Sequence, residues 1–152
     1  EMLLAANLAP SWKNSQTPRF YVATGEKSKN AVREALPEFN RKNSENASAY
    51  IVTTVVLNRS GFDKDGTAVT EIGNGWGYYD LGLNNMALLL KATELGISTL
   101  VMGIRDGEKL RKEFDIPETE AVVSVIAVGY TDSEIVRPKR KSVEDFAKFY
   151  ED

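Results

Sequence analysis

The chain has 152 residues, a net charge of −3 and neither cysteine nor histidine. Those two absences exclude disulfides, thiolate nucleophiles, imidazole proton shuttles and Cys/His zinc sites, and the slightly acidic balance gives no sign of a nucleic-acid partner. Chemistry must come from carboxylates, hydroxyls, amides, Lys, Arg and backbone, or from a borrowed cofactor. The length fits one domain able to bury roughly 68–70% of its unfolded surface. The apolar run from Ala121 to Val128 is far short of the about 20 residues a membrane span needs, and no basic n-region opens a signal peptide. The expectation is a cytoplasmic protein with no membrane partner.

In chain order, Glu1 to Ala6 reads as a helix with no capping residue ahead of it. Ala9 to Pro18, with two prolines and several small polar residues, reads as a loop. Arg19 to Thr24 predicts a strand and Glu26 to Leu36 a helix stopped by Pro37. Phe39 to Ser48 is polar and reads as irregular. Tyr50 to Leu57 is a β-branched run of the buried-strand type. Asn58 to Gly77 reads as a loop, with five glycines. Tyr79 to Leu95 is the strongest helix signal, with Gly96 just past its end. On it Asp80, Asn84, Lys91 and Glu94 fall within about 80° of one another, while apolar residues cover most of the remaining circumference. That predicts a helix buried on most sides, either central or packed against a second subunit. Ser98 to Met102 predicts a short strand, Asp106 to Phe114 a helix capped by Asp106, and Ala121 to Tyr130 a second buried strand. Ser142 to Tyr150 reads as a terminal helix, with Ser142 capping and Asp145 at the third helical position. Strands alternate with helices, so the class is α/β or α+β around one sheet.

Four features could carry chemistry. Gly73-Asn74-Gly75-Trp76-Gly77 resembles a phosphate cradle but follows no good strand and precedes no P-loop lysine, so it reads better as a surface loop. Trp76, Tyr78 and Tyr79 at its end could line a pocket for a planar ligand or pin the loop to the core. Arg137-Pro138-Lys139-Arg140-Lys141 puts four positive charges in five residues; it is a solvated charge run or a phosphate clamp. Ser11, Asn14, Ser15 and Gln16 could hydrogen-bond an uncharged heteroaromatic edge, or bond their own backbone as turn residues do.

The order of these features carries more than any one of them. Ala9-Pro10-Ser11-Trp12-Lys13-Asn14-Ser15-Gln16-Thr17-Pro18-Arg19-Phe20 resembles the Ala-Pro-Ser-x-x-Asn-x-Gln-x-x-Arg-Phe signature of the nitroreductase family of flavin enzymes. Asp80-Leu81-Gly82 with Asn85-Met86, Leu89, Ala92 and Leu95-Gly96 is similar to that family's central helix. Val101-Met102-Gly103 with Ile116-Pro117-Glu118, and Val125 to Tyr130 followed by Arg137 to Lys141, complete four blocks in register.

The resemblance implies an α+β fold with a mostly antiparallel central sheet flanked by helices, in an intertwined homodimer. It implies FMN at the subunit interface, with hydride passing from NAD(P)H to the flavin and on to a nitroaromatic, quinone or similar acceptor. Pro10, Ser11 and Asn14 match positions that contact the flavin ring, and Met102 and Gly103 match a strand end whose backbone faces it. Arg137, Lys139 and Arg140 would pair with the phosphate. Trp76 and Tyr78 are expected to wall the substrate pocket; no side-chain acid is needed, since water can deliver the proton. The family normally carries a further basic segment ahead of this point, so one domain over residues 1–152, N-terminally truncated relative to the family, is the expectation. Alternatives are an inactive remnant serving as a ligand-binding or dimeric scaffold, and a same-fold flavin enzyme of dehalogenating or enoate-reducing type.

Overall fold

The structure is a computed structural model and describes residues 1–134 and 136–151. Its centre is β2 (Ala49–Val56), a strand of Ile, Val, Thr and Tyr whose middle residues are buried on both faces. Branched and aromatic side chains suit such a pleated, doubly covered position. β2 pairs antiparallel with β1 (Pro18–Ala23) on one side and β4 (Glu120–Gly129) on the other, and β3 (Ser98–Met102) pairs antiparallel with the outer side of β4. The order is β1-β2-β4-β3. Between Thr53 and Thr54 the register against β4 shifts: Thr53 faces Ser124, Thr54 faces Val122, and Val123 is skipped. This bulge lets Thr54 and Val122 share one face while Thr53 and Ser124 share the other.

Period-two alternation then assigns the two cores. Tyr50, Val52, Val125, Ala127 and Met102 pack with Val32 of α2 (Glu26–Glu34), Leu36 beyond it, and Leu110 of α5 (Gly107–Glu113). Ile51 and Ile126 pack on the opposite face with Ala6 of α1 (Met2–Asn7) and Leu88 of α4 (Gly75–Glu94), flanked by Phe20 and Val128. The molecule is thus three-layered, with α2 and α5 on one side of the sheet and α1 and α4 on the other, as the expected α+β class requires.

Several element ends follow their local chemistry. The Asp106 carboxylate accepts the Lys109 N–H at 3.0 Å and caps α5 as expected. α4 ends in a Schellman motif: the Gly96 N–H reaches the Thr93 carbonyl at 3.0 Å and the Ile97 N–H the Ala92 carbonyl at 2.8 Å, with Gly96 at φ +71°. At the other end, a Cβ on Gly77 would lie 2.8 Å from Val55 Cγ2, so glycine there lets α4 settle onto the sheet.

Four expectations are corrected. The polar segment after Pro37 is not irregular: Glu38–Asn43 forms α3, because Pro37 occupies the N-cap, Glu38 stands in the first turn and Arg41 and Lys42 in the last, which suits the helix dipole. α4 begins at Gly75, four residues earlier than its apolar pattern, since its first turn is glycine-rich. The predicted terminal helix reduces to one 3-10 turn at Val143–Asp145. The Asp145 carboxylate does accept the Ser142 N–H at 3.0 Å, but Val143, Phe146, Phe149 and Tyr150 are exposed and no core fixes further turns.

The fourth correction concerns the faces of α4. Within a single chain it is not buried on most sides, which excludes the central placement and not the packing against a second subunit. The buried stripe is Gly77, Asp80, Leu81, Asn84, Leu88 and Ala92, while Tyr79, Met86 and Leu90 stand 61%, 52% and 58% exposed. Two members of the predicted polar stripe therefore face inward, and an apolar stripe faces outward.

Candidate functional site

The segment from Pro10 to Gln16 crosses the amino end of α4. Its backbone is unusual: Lys13, Asn14 and Gln16 have φ of 46°, 55° and 48°. Each non-glycine residue in this left-handed region costs on the order of 1 kcal/mol. Specific bonds hold the turn against that cost. The Asn14 and Ser15 N–H groups donate to the Ser11 and Trp12 carbonyls at 3.0 and 2.8 Å, and the Gln16 N–H donates to Ser11 Oγ at 3.0 Å. Arg19 Nη1 clamps the Gln16 and Pro18 carbonyls at 2.7 and 2.8 Å. The Trp12 N–H donates to both Asp80 oxygens at 3.1 Å. Ser11 is thus a turn residue through its hydroxyl, while Pro10 and Asn14 remain exposed.

Trp12 and Trp76 stack beside this turn, with ring centroids 4.6 Å apart and planes tilted by 47°. Trp76 also meets Tyr79 edge-on at 5.8 Å and donates its indole N–H to Thr70 Oγ1 at 2.8 Å. Trp76 therefore anchors the segment between β2 and α4 against the turn, and Tyr78 is exposed next to it. Lys13 reaches across to Asp63 at 3.3 Å, a second tie to that segment. Polar atoms are left over: Trp12 Nε1, Ser15 Oγ, Thr17 Oγ1 and Asn85 Oδ1 are buried without a partner among the described residues. A cleft of about 160 Å3 opens alongside, lined by Ser11, Gln16, Arg19, Asn84, Asn7 and Phe20 among others.

The second group sits at the end of β3. Met102 is buried and its pairing with Val125 is the last rung of the ladder, so the chain leaves the sheet at an exposed Gly103. A Cβ on Gly103 would meet nothing within 4 Å, and its φ is not positive, so neither sterics nor backbone within the chain requires glycine there. Asn40 of α3 donates to the Ile104 carbonyl at 3.1 Å and steadies this exit.

The third group, Arg137, Lys139 and Arg140, is exposed. Its only side-chain bond among the described residues is local, from Arg140 Nη1 to the Pro138 carbonyl at 3.1 Å. Neither the basic run nor the β3 exit lines the cleft beside Ser11. Gly73 to Gly77 forms the approach and first turn of α4, with Asn74 Oδ1 accepting the Asn58 N–H at 2.7 Å, which fits the loop-anchoring reading and not a phosphate cradle.

A sequence model of the nitroreductase family matches residues 1–130. The chain belongs to the nitroreductase family. Solved structures agree in fold. A nitroreductase family protein from Streptococcus pneumoniae is 21% identical, covering 98% of this chain and 86% of its own, with a TM-score of 0.81. An enone reductase of gut-bacterial fatty acid saturation metabolism is 20% identical over 97% and 84%, with a TM-score of 0.83. An oxidoreductase containing FMN is 25% identical, covering 87% of this chain and 65% of its own, with a TM-score of 0.74. No curated protein sequence matches. Family and neighbours support a flavin oxidoreductase.

For a nitroreductase-family chain, two residues to which the sequence reading gave no site role stand out. Asp80 and Asn40 frame the first two groups: Asp80 holds the turn, and Asn40 holds the β3 exit. Asp80 carries a recoverable signal, a carboxylate within an apolar helix; Asn40 sits in a segment whose helix was not expected, and nothing marks it.

Proposed function

We propose that the chain is an FMN-dependent NAD(P)H oxidoreductase, folded as a single domain, that works as a homodimer and reduces nitroaromatic, quinone or similar acceptors. The observation that carries this reading is the Pro10–Gln16 turn: a strained, bonded frame with exposed Pro10 and Asn14, in the family's flavin-loop position. The residues fit a flavin. The open Gly103 and the exposed charge of an Arg/Lys run suit an amphipathic ring carrying a phosphate tail. FMN bound there would supply a ring that takes two electrons and a proton from a nicotinamide and passes them to an acceptor.

The chain's own groups then bind and orient. Ser11, Pro10 and Asn14 support one side of the ring, and the backbone leaving β3 at Met102 and Gly103 offers N–H donors without a side chain in the way. Arg140, Lys139 and Arg137 hold the phosphate, for which guanidinium forks are well shaped. Tyr78, with Trp76 behind it, borders the substrate. Because the three groups do not share one cleft, a second copy brings them together, and the outward stripe Tyr79, Met86 and Leu90 supports that arrangement. Gly82 on the same helix is exposed, and a Cβ there would meet nothing within 4 Å, which leaves room for close helix approach.

Purification without denaturant tests the reading. A yellow protein, or an apoprotein that quenches added FMN fluorescence saturably and oxidises NAD(P)H with a quinone or nitroaromatic present, is expected. A protein that stays colourless and leaves FMN fluorescence unchanged is the inactive scaffold instead.

A further inference from the structure

Asp80 lies on α4 at 2% exposure, and among the described residues no cationic side chain forms an ion pair with it. A buried carboxylate without a counter-ion is costly unless hydrogen bonds compensate it. Its bonds are long-range. Both oxygens accept the Trp12 N–H, 68 residues away, and Oδ2 also accepts the Ser60 hydroxyl, 20 residues away. One side chain thus ties together the helix, the Pro10–Gln16 turn and the segment after β2. The neighbouring inward positions, Leu81, Leu88 and Ala92, do the ordinary packing of α4 on the sheet.

The Trp12 N–H sits next to the three left-handed residues of the turn, and it belongs to the residue whose ring stacks on Trp76. Movement of that peptide moves the Trp12 indole, Ser11 and Asn14 together. Ser60 performs the matching task on the other wall, ahead of the segment that carries Trp76.

We propose that Asp80 is a positioning residue: its buried carboxylate sets the conformation of the Pro10–Asn14 turn and the Trp12–Trp76 stack, and thereby the affinity of that surface for a heteroaromatic ring. The ring-binding half rests on the flavin reading above; the conformational half does not.

The two halves have separate readouts. Trp12 and Trp76 are the only tryptophans in the chain, so circular dichroism of the coupled indoles reports the stack directly, without any cofactor. Asp80→Ala is expected to abolish that coupled signal and to weaken FMN binding about tenfold or more at temperatures well below its melting point. Asp80→Asn keeps an acceptor for Trp12 and a polar partner for Ser60, and is expected to restore both within about threefold. If Asp80→Ala does not fold, Ser60→Ala carries the test, with a loss of about threefold to tenfold in FMN affinity and a reduced indole signal. A lowered melting temperature with unchanged indole signal and unchanged FMN affinity would overturn the proposal and leave Asp80 a core residue only. If the native chain binds no FMN, the flavin reading fails, and the indole signal alone decides whether Asp80 sets the turn.

Discussion

Tyr21 on the edge strand β1 donates its phenolic hydrogen to the Glu120 carboxylate on β4 at 2.9 Å, reaching across β2, where Thr54 donates to the same oxygen. Burial, and then the Glu120 bond and charge, push the Tyr21 phenol from 10.0 up to about 12. The neutral phenol is therefore favoured by folding. Its contribution is complete below pH 10 and is lost as the pH rises toward 12, because over that range the unfolded chain releases the proton first. Urea unfolding across this window should show stability falling with pH, and Tyr21→Phe should flatten the fall. An unchanged slope in the variant removes Tyr21 as its source.

Gly103 is open on the side where a Cβ would project. Gly103→Val should leave the melting temperature within a few degrees of the native value, since nothing in the chain lies within 4 Å of its Cβ. FMN affinity should drop at least about tenfold, as expected when a side chain enters a space that a ligand's backbone contacts require. Isothermal titration with FMN, together with a melting curve, checks both statements; retained affinity places the ring elsewhere.

The outward stripe of α4 should be an interface. Tyr79, Met86 and Leu90 line one exposed stripe of a helix whose opposite face is already packed, an arrangement suited to burial against a second helix. Met86→Glu combined with Leu90→Lys should convert a dimer to a monomer in sedimentation while preserving helical circular dichroism. A native chain that sediments as a monomer at all concentrations tested contradicts the expectation.

Arg140 should act on the phosphate and not on the ring. Removing one charge-assisted bond costs roughly 1.5–3 kcal/mol, about ten- to a hundredfold in affinity. Arg140→Ala should weaken FMN by that factor and leave riboflavin, which has no phosphate, unaffected. Equal losses for both ligands would mean that Arg140 touches the ring or supports the fold.

Gly96 tests the helix end. With φ at +71°, a Cβ is strained although space around it is free. Gly96→Ala should lower stability by about 1 kcal/mol in chemical denaturation without altering FMN binding.

Much of the fold was legible in residue order. The apolar runs at Tyr50–Leu57 and Ala121–Tyr130 became the two central strands, Ala49–Val56 and Glu120–Gly129, because a strand covered on both faces needs continuous apolar residues. The Asp106 cap and the Gly96 stop were readable for the same reason: each is a local bond between a side chain or a bare backbone and a helix end. The signature from Ala9 to Phe20 located the turn beside the candidate site; Asn14 is of a type that tolerates positive φ, but the strain at Lys13 and Gln16 was not foreseeable from residue types that ordinarily avoid it.

Tertiary structure decided the rest. Periodicity reports that α4 is apolar on several sides, but only its packing on Val55 and Ile126 shows which side is covered, and that side includes Asp80 and Asn84. Asp80 points inward because its partners are supplied by segments 68 and 20 residues away. Ser142–Tyr150 shows the converse: the capping residues are present, yet a short helix without a surface to bury its apolar residues gains too little to form beyond one turn. Sequence alone determines the local bonds and the order of elements; which polar group is buried and which apolar stripe is left outside depends on distant neighbours that only the folded chain brings together.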